Sequence, residues 1–531
     1  MLNFQCKGRH CCLPLHFTFH QQGDMRNIIL LLFCLPGVQH LYGQVKRVSV
    51  SVDAAVTYQT IRSFGASDAW ACQFVGHWPA DRKNAIADLL FSMDTTAGGQ
   101  PQGIGLSLWR FNVGAGSAQQ GDNSGIGDEW RRAESFLETD NTYNWSRQSG
   151  QQWFLQAAKE RGVIQFLAFL NSPPVQLTRN GKAFATKGSC NIDSSRYQDL
   201  AAYLAQVVKG VQARTGILFN YLSPVNEPQW DWSDGGQEGC PYSNAQVSGV
   251  VKAISQTFTA QRLPTRILVP EAGQLNYLYE TANKPASGAQ ITAFFDPRSA
   301  AYIGNLPGVQ RSIAGHSYFT SSPYDTAIQV RQRLAAQVAG VKGLEYWQSE
   351  YCILGDNAGE INGSGRDLGM NAALYLARVI HQDLTIANAA AWHYWLAVSP
   401  YDYKDGLVYI DKQKQGGQYY ESKMLWVLGN YSRFVRPGAQ RVQAALSDST
   451  LAPTLLVSAY RNADNTFSLV LVNTGASAVD VTLEGRPSLP GRYRAYTTSA
   501  AGNLAPGAVM AGKGGLRLPA QSVVTLVGQG R

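Results

Sequence analysis

Charge is scarce in this chain: Asp, Glu, Lys and Arg make up 15% of its 531 residues, against 45% hydrophobic. That rules out a disordered polymer and leaves material for one large core or two. No Lys/Arg run stands out and the net charge is only +8, which argues against nucleic acid as a partner. No stretch beyond the N-terminal segment is long and apolar enough for a transmembrane helix. Histidine is rare past residue 43, and His77, His316, His381 and His393 form no ligand-spaced cluster with carboxylates. Cys72, Cys190, Cys240 and Cys352 are too widely spaced for a zinc pattern, so neither metal nor cofactor is expected. The same spacing leaves open whether these four pair as disulfides or stay as buried thiols. Internal repeats and low-complexity linkers are also missing.

The N-terminus is what remains of long apolar sequence. "MRNIILLLFCLPGVQHLYGQ" opens at Met25 with Arg26, runs apolar over Ile28–Leu35, and ends in small or polar residues. It is too short to span a bilayer and has the logic of a secretory signal peptide. Residues 1–43 are therefore expected to be an upstream extension plus leader, with the true start at Met25. The rest is expected to be exported, soluble and monomeric.

From about residue 61 to 420 short apolar runs alternate with stretches of helical character such as "YQDLAAYLAQVVKGVQARTG" (197–216). Eight runs can be counted, at 61–70, 106–116, 163–174, 218–228, 266–273, 311–319, 343–353 and 389–398. Strands alternating with helices imply parallel pairing through crossovers. The expected fold is α/β: a (β/α)8 TIM barrel with long loops. Over 421–531 the pattern changes to short alternating runs broken by Gly, Asn, Asp and Pro, as in "FSLVLVNT", which predicts an antiparallel β-sandwich domain. Residues 44–60 read as a strand that joins that domain from the other end of the chain.

Active sites of such barrels sit at the C-terminal ends of the strands. The run tips carry Arg110 and Asn112, Asn171, Asn226 and Glu227, His316 and Tyr318, Glu350, and Trp392, His393 and Trp395. Glu227 and Glu350, at the tips of runs four and seven, would face each other across the barrel mouth. Glycoside cleavage needs such a pair: one carboxylic acid protonates the departing oxygen while the second carboxylate attacks the anomeric carbon. Asn226 and Glu227 would point to opposite faces of a regular strand. Both can serve one pocket only if the strand ends or bulges there, and Pro228 is consistent with an ending.

"SPVNEPQW" and "WQSEYCIL", together with the order of the runs and a β-domain built from both chain ends, resemble glycoside hydrolase family 30 over about residues 45–530. The resemblance implies a retaining mechanism with Glu227 as acid/base and Glu350 as nucleophile. It also implies that Arg110, Asn226, His316 and Tyr318 line the subsite of the cleaved bond's sugar, floored by Trp392 or Trp395. The segments 226–244 and 363–410 are most similar to the endo-β-1,6-galactanase branch, which implies a β-linked polysaccharide, the galactan of arabinogalactan side chains, as substrate. Another specificity in the family (β-1,6-glucanase, xylanase or exo-β-glycosidase) is the alternative. A non-catalytic carbohydrate-binding barrel would need neither glutamate. After "NSPP" this chain has Gln176 where relatives often carry an aromatic platform.

Other residues compete for these roles. Asp231, Asp234 and Glu238 follow the turn and are expected in a solvated loop. Glu271 ends run five and lines the site at most, while Glu345 has the wrong alternation and should be paired outside it. Trp230 and Trp232 are loop anchors or sugar-stacking surfaces. Trp392 and His393 lie on opposite faces of their strand, so one of Trp392 and Trp395 at most floors the site, and His393 is expected in the core. Cys352 is expected to pack rather than react.

Overall fold

The computed structural model describes residues 46–485, 489–512 and 514–530. The leader expected over 1–43 lies outside the described residues. Strand β1 (Lys46–Thr60) comes first and belongs to the β-domain. Each of the eight apolar runs then supplies one strand: β2 (Ser63–Ser67), β3 (Leu108–Asn112), β4 (Gln165–Phe169), β5 (Tyr221–Ser223), β6 (Arg266–Ala272), β7 (Val309–His316), β8 (Glu345–Tyr351) and β9 (Ala391–Ser399). Among the described residues these eight pair in parallel in chain order, and β9 bonds to both β8 and β2, closing the barrel. A closed parallel sheet buries both of its faces, which is why β3 and β9 are buried at every position. Strands β10 (Gly406–Ile410) and β11 (Tyr419–Glu421) extend the sheet beside β9.

The β-domain comprises β12 (Gln440–Leu446), β13 (Leu455–Arg461), β14 (Thr466–Asn473), β15 (Val479–Gly485), β16 (Arg492–Ser499), β17 (Gly502–Ala511), β18 (Gly515–Leu518) and β19 (Ser522–Gln529), with β1 inserted between β12 and β15. β1 runs antiparallel to β12 and parallel to β15. The period of two sorts the side chains of β13 and β14 into two cores. Leu455, Val457, Ala459, Leu469 and Leu471 fill the domain's own interior, whereas Leu456, Tyr460, Val470 and Val472 join the barrel's. Each valine so buried stabilises the junction by about 1.5–3 kcal/mol.

The stretch 421–439, expected to be part of the β-domain, begins instead with a helix, Lys423–Ser432, capped by the Ser422 side chain on the Leu425 amide. Every residue from Met424 to Ser432 is buried. A helix covered all round shows no amphipathic stripe, so its period was invisible in the sequence. It packs on the helix Met370–Thr385 and on β16, which ties the barrel to the sheet.

The end of β7 is held from behind by a buried ion pair. Asp383 accepts from Arg331 Nε at 2.8 Å, Ser317 Oγ at 3.0 Å and Trp392 Nε1 at 2.9 Å, and Arg331 also donates to the Thr320 carbonyl. Both charges are fully buried. Arg331→Met should therefore destabilise the protein by about 3–5 kcal/mol, because it leaves an unpaired carboxylate in the core. Arg331→Met combined with Asp383→Leu should recover much of that loss. Urea unfolding of the three proteins checks this.

Candidate active site

At the barrel mouth the backbone leaves regular strand geometry in several places at once. β5 stops at Ser223, and Glu227 sits in the left-handed region at φ +41 with its amide donating to the Glu271 carbonyl. Glu271 (φ +57) and Trp232 (φ +53) share that unusual conformation. Freed from strand alternation, Asn226 and Glu227 both line a cavity of 820 Å³. Between β7 and β8 the register slips, so that Gly315 pairs with Gln348 but His316 pairs with Glu350. The extra residue lets consecutive side chains, Ser349 and Glu350, both serve the site.

The polar groups converge on His316. Its Nδ1 lies 2.9 Å from Glu227 Oε1 and 3.6 Å from Glu350 Oε1, and its Nε2 lies 3.0 Å from Glu271 Oε2. Glu350 also accepts from Arg110 Nη1 at 3.0 Å and from the Tyr318 hydroxyl at 3.1 Å. Glu271 accepts from Ser223 and Ser349 and lies 3.7 Å from Arg110 Nη2. One oxygen from each of Glu227 and Glu350 and one nitrogen of His316 fall within 4.8 Å of one another.

Burial alone would depress the His316 imidazole. The charge of Glu350 and hydrogen bonds to Glu227 and Glu271 outweigh it and raise the pKa to about 10. Burial likewise pushes Glu271 up, but His316, Arg110 and Ser223 bring it down to about 2. Glu350 is pushed up by burial and by the charge of Glu227, while His316 and Arg110 pull the other way. No cluster of histidine with carboxylates was expected from sequence spacing, yet four separate strand ends bring one together around His316.

The other expected site residues fall into three groups. Trp230, Trp232 and Trp395 line the cavity, and Trp232 also anchors its loop by donating to the Glu227 carbonyl at 3.0 Å. Asn112, Asn171 and Arg110 lie beneath the cavity, with Asn171 Nδ2 3.4 Å from Asn112 Oδ1. Trp392 is not a site residue: it is wholly buried on the helix side of β9, directed at Asp383, as the opposite alternation of Trp395 requires.

Glu238, expected in a solvated loop, is also a correction. It is fully buried and accepts from the Ala115 amide and from Ser117 Oγ, so it latches the loop after β5 to the loop after β3. Asp231 and Asp234 are exposed but stand on the cavity rim. His393 is buried with Nε2 on Ser63 Oγ, and Glu345 pairs with Arg62 at 2.6 Å. Gln176 donates to the Leu137 carbonyl. Among the described residues Cys72, Cys190, Cys240 and Cys352 are free thiols.

Sequence reasoning assigned nothing to the first run, yet Asp68 ends it, fully buried, with Oδ1 on the Asn112 amide at 2.7 Å and Oδ2 without a protein partner. Burial raises its carboxyl to about 8. Phe319 and Gln274 also line the cavity without having been singled out. The position of Asp68 at a run tip was the available signal.

Comparison with known proteins places this geometry. The model for O-glycosyl hydrolase family 30 matches residues 47–409, and that for the family 30 β-sandwich domain matches 438–526. The protein is a glycoside hydrolase. More particularly, the chain belongs to glycoside hydrolase family 30. It is 24% identical over 437 residues to an endo-β-1,6-galactanase of Hypocrea rufa, covering 78% of this chain and 80% of that protein. It is also 24% identical to a glucuronoxylanase of Bacillus subtilis, covering 94% and 97%. Among solved structures, a conserved exported protein from Bacteroides fragilis is 32% identical, covers 90% of this chain and 100% of its own, and superposes with a TM-score of 0.84. No helix among the described residues is long and apolar enough to cross a membrane.

The two shifted groups set a pH window. The contribution of Glu271 is present above its unperturbed 4.5 and lost as pH falls through about 2. That of His316 is present below 6.5 and lost as pH rises through about 10. The stability difference between wild type and Glu271→Gln should therefore be largest between pH 4.5 and 6.5 and shrink on both flanks. Urea unfolding across pH would show a flat difference if the two groups were not paired.

Proposed function

We propose that the protein is an exported, monomeric, retaining endo-β-1,6-galactanase acting on arabinogalactan side chains. The observation that carries the chemistry is that one oxygen of Glu227 and one of Glu350, both lining the 820 Å³ cavity, lie within 4.8 Å of each other, which favours the closer, retaining arrangement. Retaining glycosidases hold their carboxyl groups about 5–5.5 Å apart, and inverting ones leave roughly 6.5–9.5 Å for a water. The sugar assignment is supported by the galactanase of Hypocrea rufa, and export by the Bacteroides fragilis neighbour and the apolar segment after Met25.

Buried charge calls for one proton among the carboxylates. Glu227, Glu271 and Glu350 face the cations Arg110 and His316, which leaves one negative charge to be neutralised by one proton. Glu271 is held far below the usual carboxylate range, and Glu350 takes donors from Arg110 and Tyr318. Glu227, which among the described residues accepts only from His316 and faces the open cavity, is the acid in this reading. Its proton passes to the glycosidic oxygen as the C–O bond breaks and Glu350 attacks the anomeric carbon, forming a glycosyl ester. Glu227, now ionised, takes a proton from water, whose oxygen attacks the same carbon and releases Glu350. Asn226 Oδ1, buried without a protein partner beside the cavity, accepts from a sugar hydroxyl.

The extended match to the glucuronoxylanase supports a second reading, a β-1,4-xylanase with the same chemistry. A polysaccharide panel with product sizing decides: oligomers from de-arabinosylated arabinogalactan support the first, and cleavage of xylan alone supports the second. Glu227→Gln should lower kcat about 10²–10⁴-fold on polysaccharide, and much less on a substrate whose leaving group needs no proton. Glu350→Gln should abolish turnover, and full activity in that variant would remove it as nucleophile.

A further inference from the structure

Phe319 is an anomaly that the reaction chemistry does not use. It follows Tyr318 directly, is 57% exposed, and holds a left-handed backbone at φ +54. A bulky residue rarely adopts that conformation, and an aromatic ring gains nothing from facing water. The surrounding segment is pinned, since Arg331 holds the Thr320 carbonyl and Ser317 is held by Asp383. Strain kept in place by rigid neighbours at a cleft wall points to a ligand rather than to packing.

What Phe319 faces follows from the acid/base residue. The sugar that leaves must lie beside the group that protonates it, so the leaving-group half of the cavity is the Glu227 side. Trp230 is fixed to that side by its amide on the Glu227 carbonyl, and Phe319 meets Trp230 at 6.0 Å with the ring planes 85° apart. Both rings line the cavity. We propose that Phe319 and Trp230 form a right-angled aromatic wall that receives two successive sugars of the leaving group, and that this angle selects a 1,6-linked chain over a 1,4-linked one.

The reason is the geometry of the glycan. A β-1,4 linkage joins rings through only two torsions into an extended chain, so consecutive units run along one line and do not fold into a corner. A 1,6 linkage adds a third rotatable bond and lets the next ring turn through a right angle. The apolar faces of both rings can then be covered at once. This inference deepens the proposed reading and rests on its assignment of Glu227 as the acid.

The test uses Phe319→Ala and Phe319→Tyr in the full chain with a β-1,6-galacto-oligosaccharide, β-1,6-glucan, β-1,4-xylan and a β-1,6-galactobiosyl fluoride. Fluoride needs no platform when it leaves. Phe319→Ala should lower kcat/KM on the oligosaccharide about tenfold, leave the fluoride within about twofold, and be rescued by tyrosine. An equal loss on both substrates, or no loss on the oligosaccharide, overturns the proposal. Wild-type cleavage of β-1,6-glucan instead of galactan would overturn the sugar but keep the linkage inference. Wild-type preference for xylan would overturn both.

Discussion

Everything at the barrel mouth answers to one electrostatic constraint: three carboxylates and two cations share a volume from which water is largely excluded. Separated, each such charge would cost several kcal/mol to bury. Together they neutralise all but one negative charge, and a single proton completes the set. Burial thus favours a proton on the set, and each carboxylate meets a different group of donors. Arg110 and Tyr318 serve Glu350, while Arg110, His316, Ser223 and Ser349 surround Glu271. Glu227 has the fewest fixed donors and the open cavity in front of it. Glu271 touches no substrate in this scheme. It keeps His316 charged from the far side, and so acts through another residue.

Holding like charges this close requires a backbone that does not relax. Glu227, Trp232 and Phe319 at the cavity and Glu271 buried behind it are left-handed, and each is a conformation that relaxes unless its surroundings fix it. The surroundings do so from below. Asp383 and Arg331 lock the segment after β7, and Glu238 ties two neighbouring loops with its buried carboxylate. The helices and the doubly buried sheet of the β-domain then brace the barrel wall from outside. The side domain contributes to the site through rigidity, without supplying a residue to it.

The architecture was legible in the sequence because it rests on repeated signals. Eight apolar runs ending in polar clusters describe a parallel barrel, and alternation after residue 440 describes a sheet. The paired glutamates were legible because each stood at a run tip. The features that escaped have physical reasons. The helix Lys423–Ser432 is buried all round and has no stripe to show. Glu238 sits in a polar, glycine-rich loop, where a carboxylate ordinarily meets water, and only tertiary packing turns it inward. Alternation showed that Trp392 and Trp395 face opposite sides, but which of them meets the cavity depends on the helix packed behind the strand, where Asp383 takes Trp392. The convergence on His316 joins residues up to 123 positions apart (Glu227 to Glu350), and no local spacing encodes it.

Specificity in such a barrel belongs to what stands above the shared carboxylates, because the chemistry of bond cleavage is the same for galactan, glucan and xylan. Below the scissile bond, the charges leave little freedom: moving any one of them unbalances the rest. Above it, Trp230 and Trp232 follow Glu227 on its own loop and Phe319 follows Tyr318, so the aromatic surface is built on the segments that also place the carboxylates. A fixed electrostatic floor thus carries the aromatic wall above it.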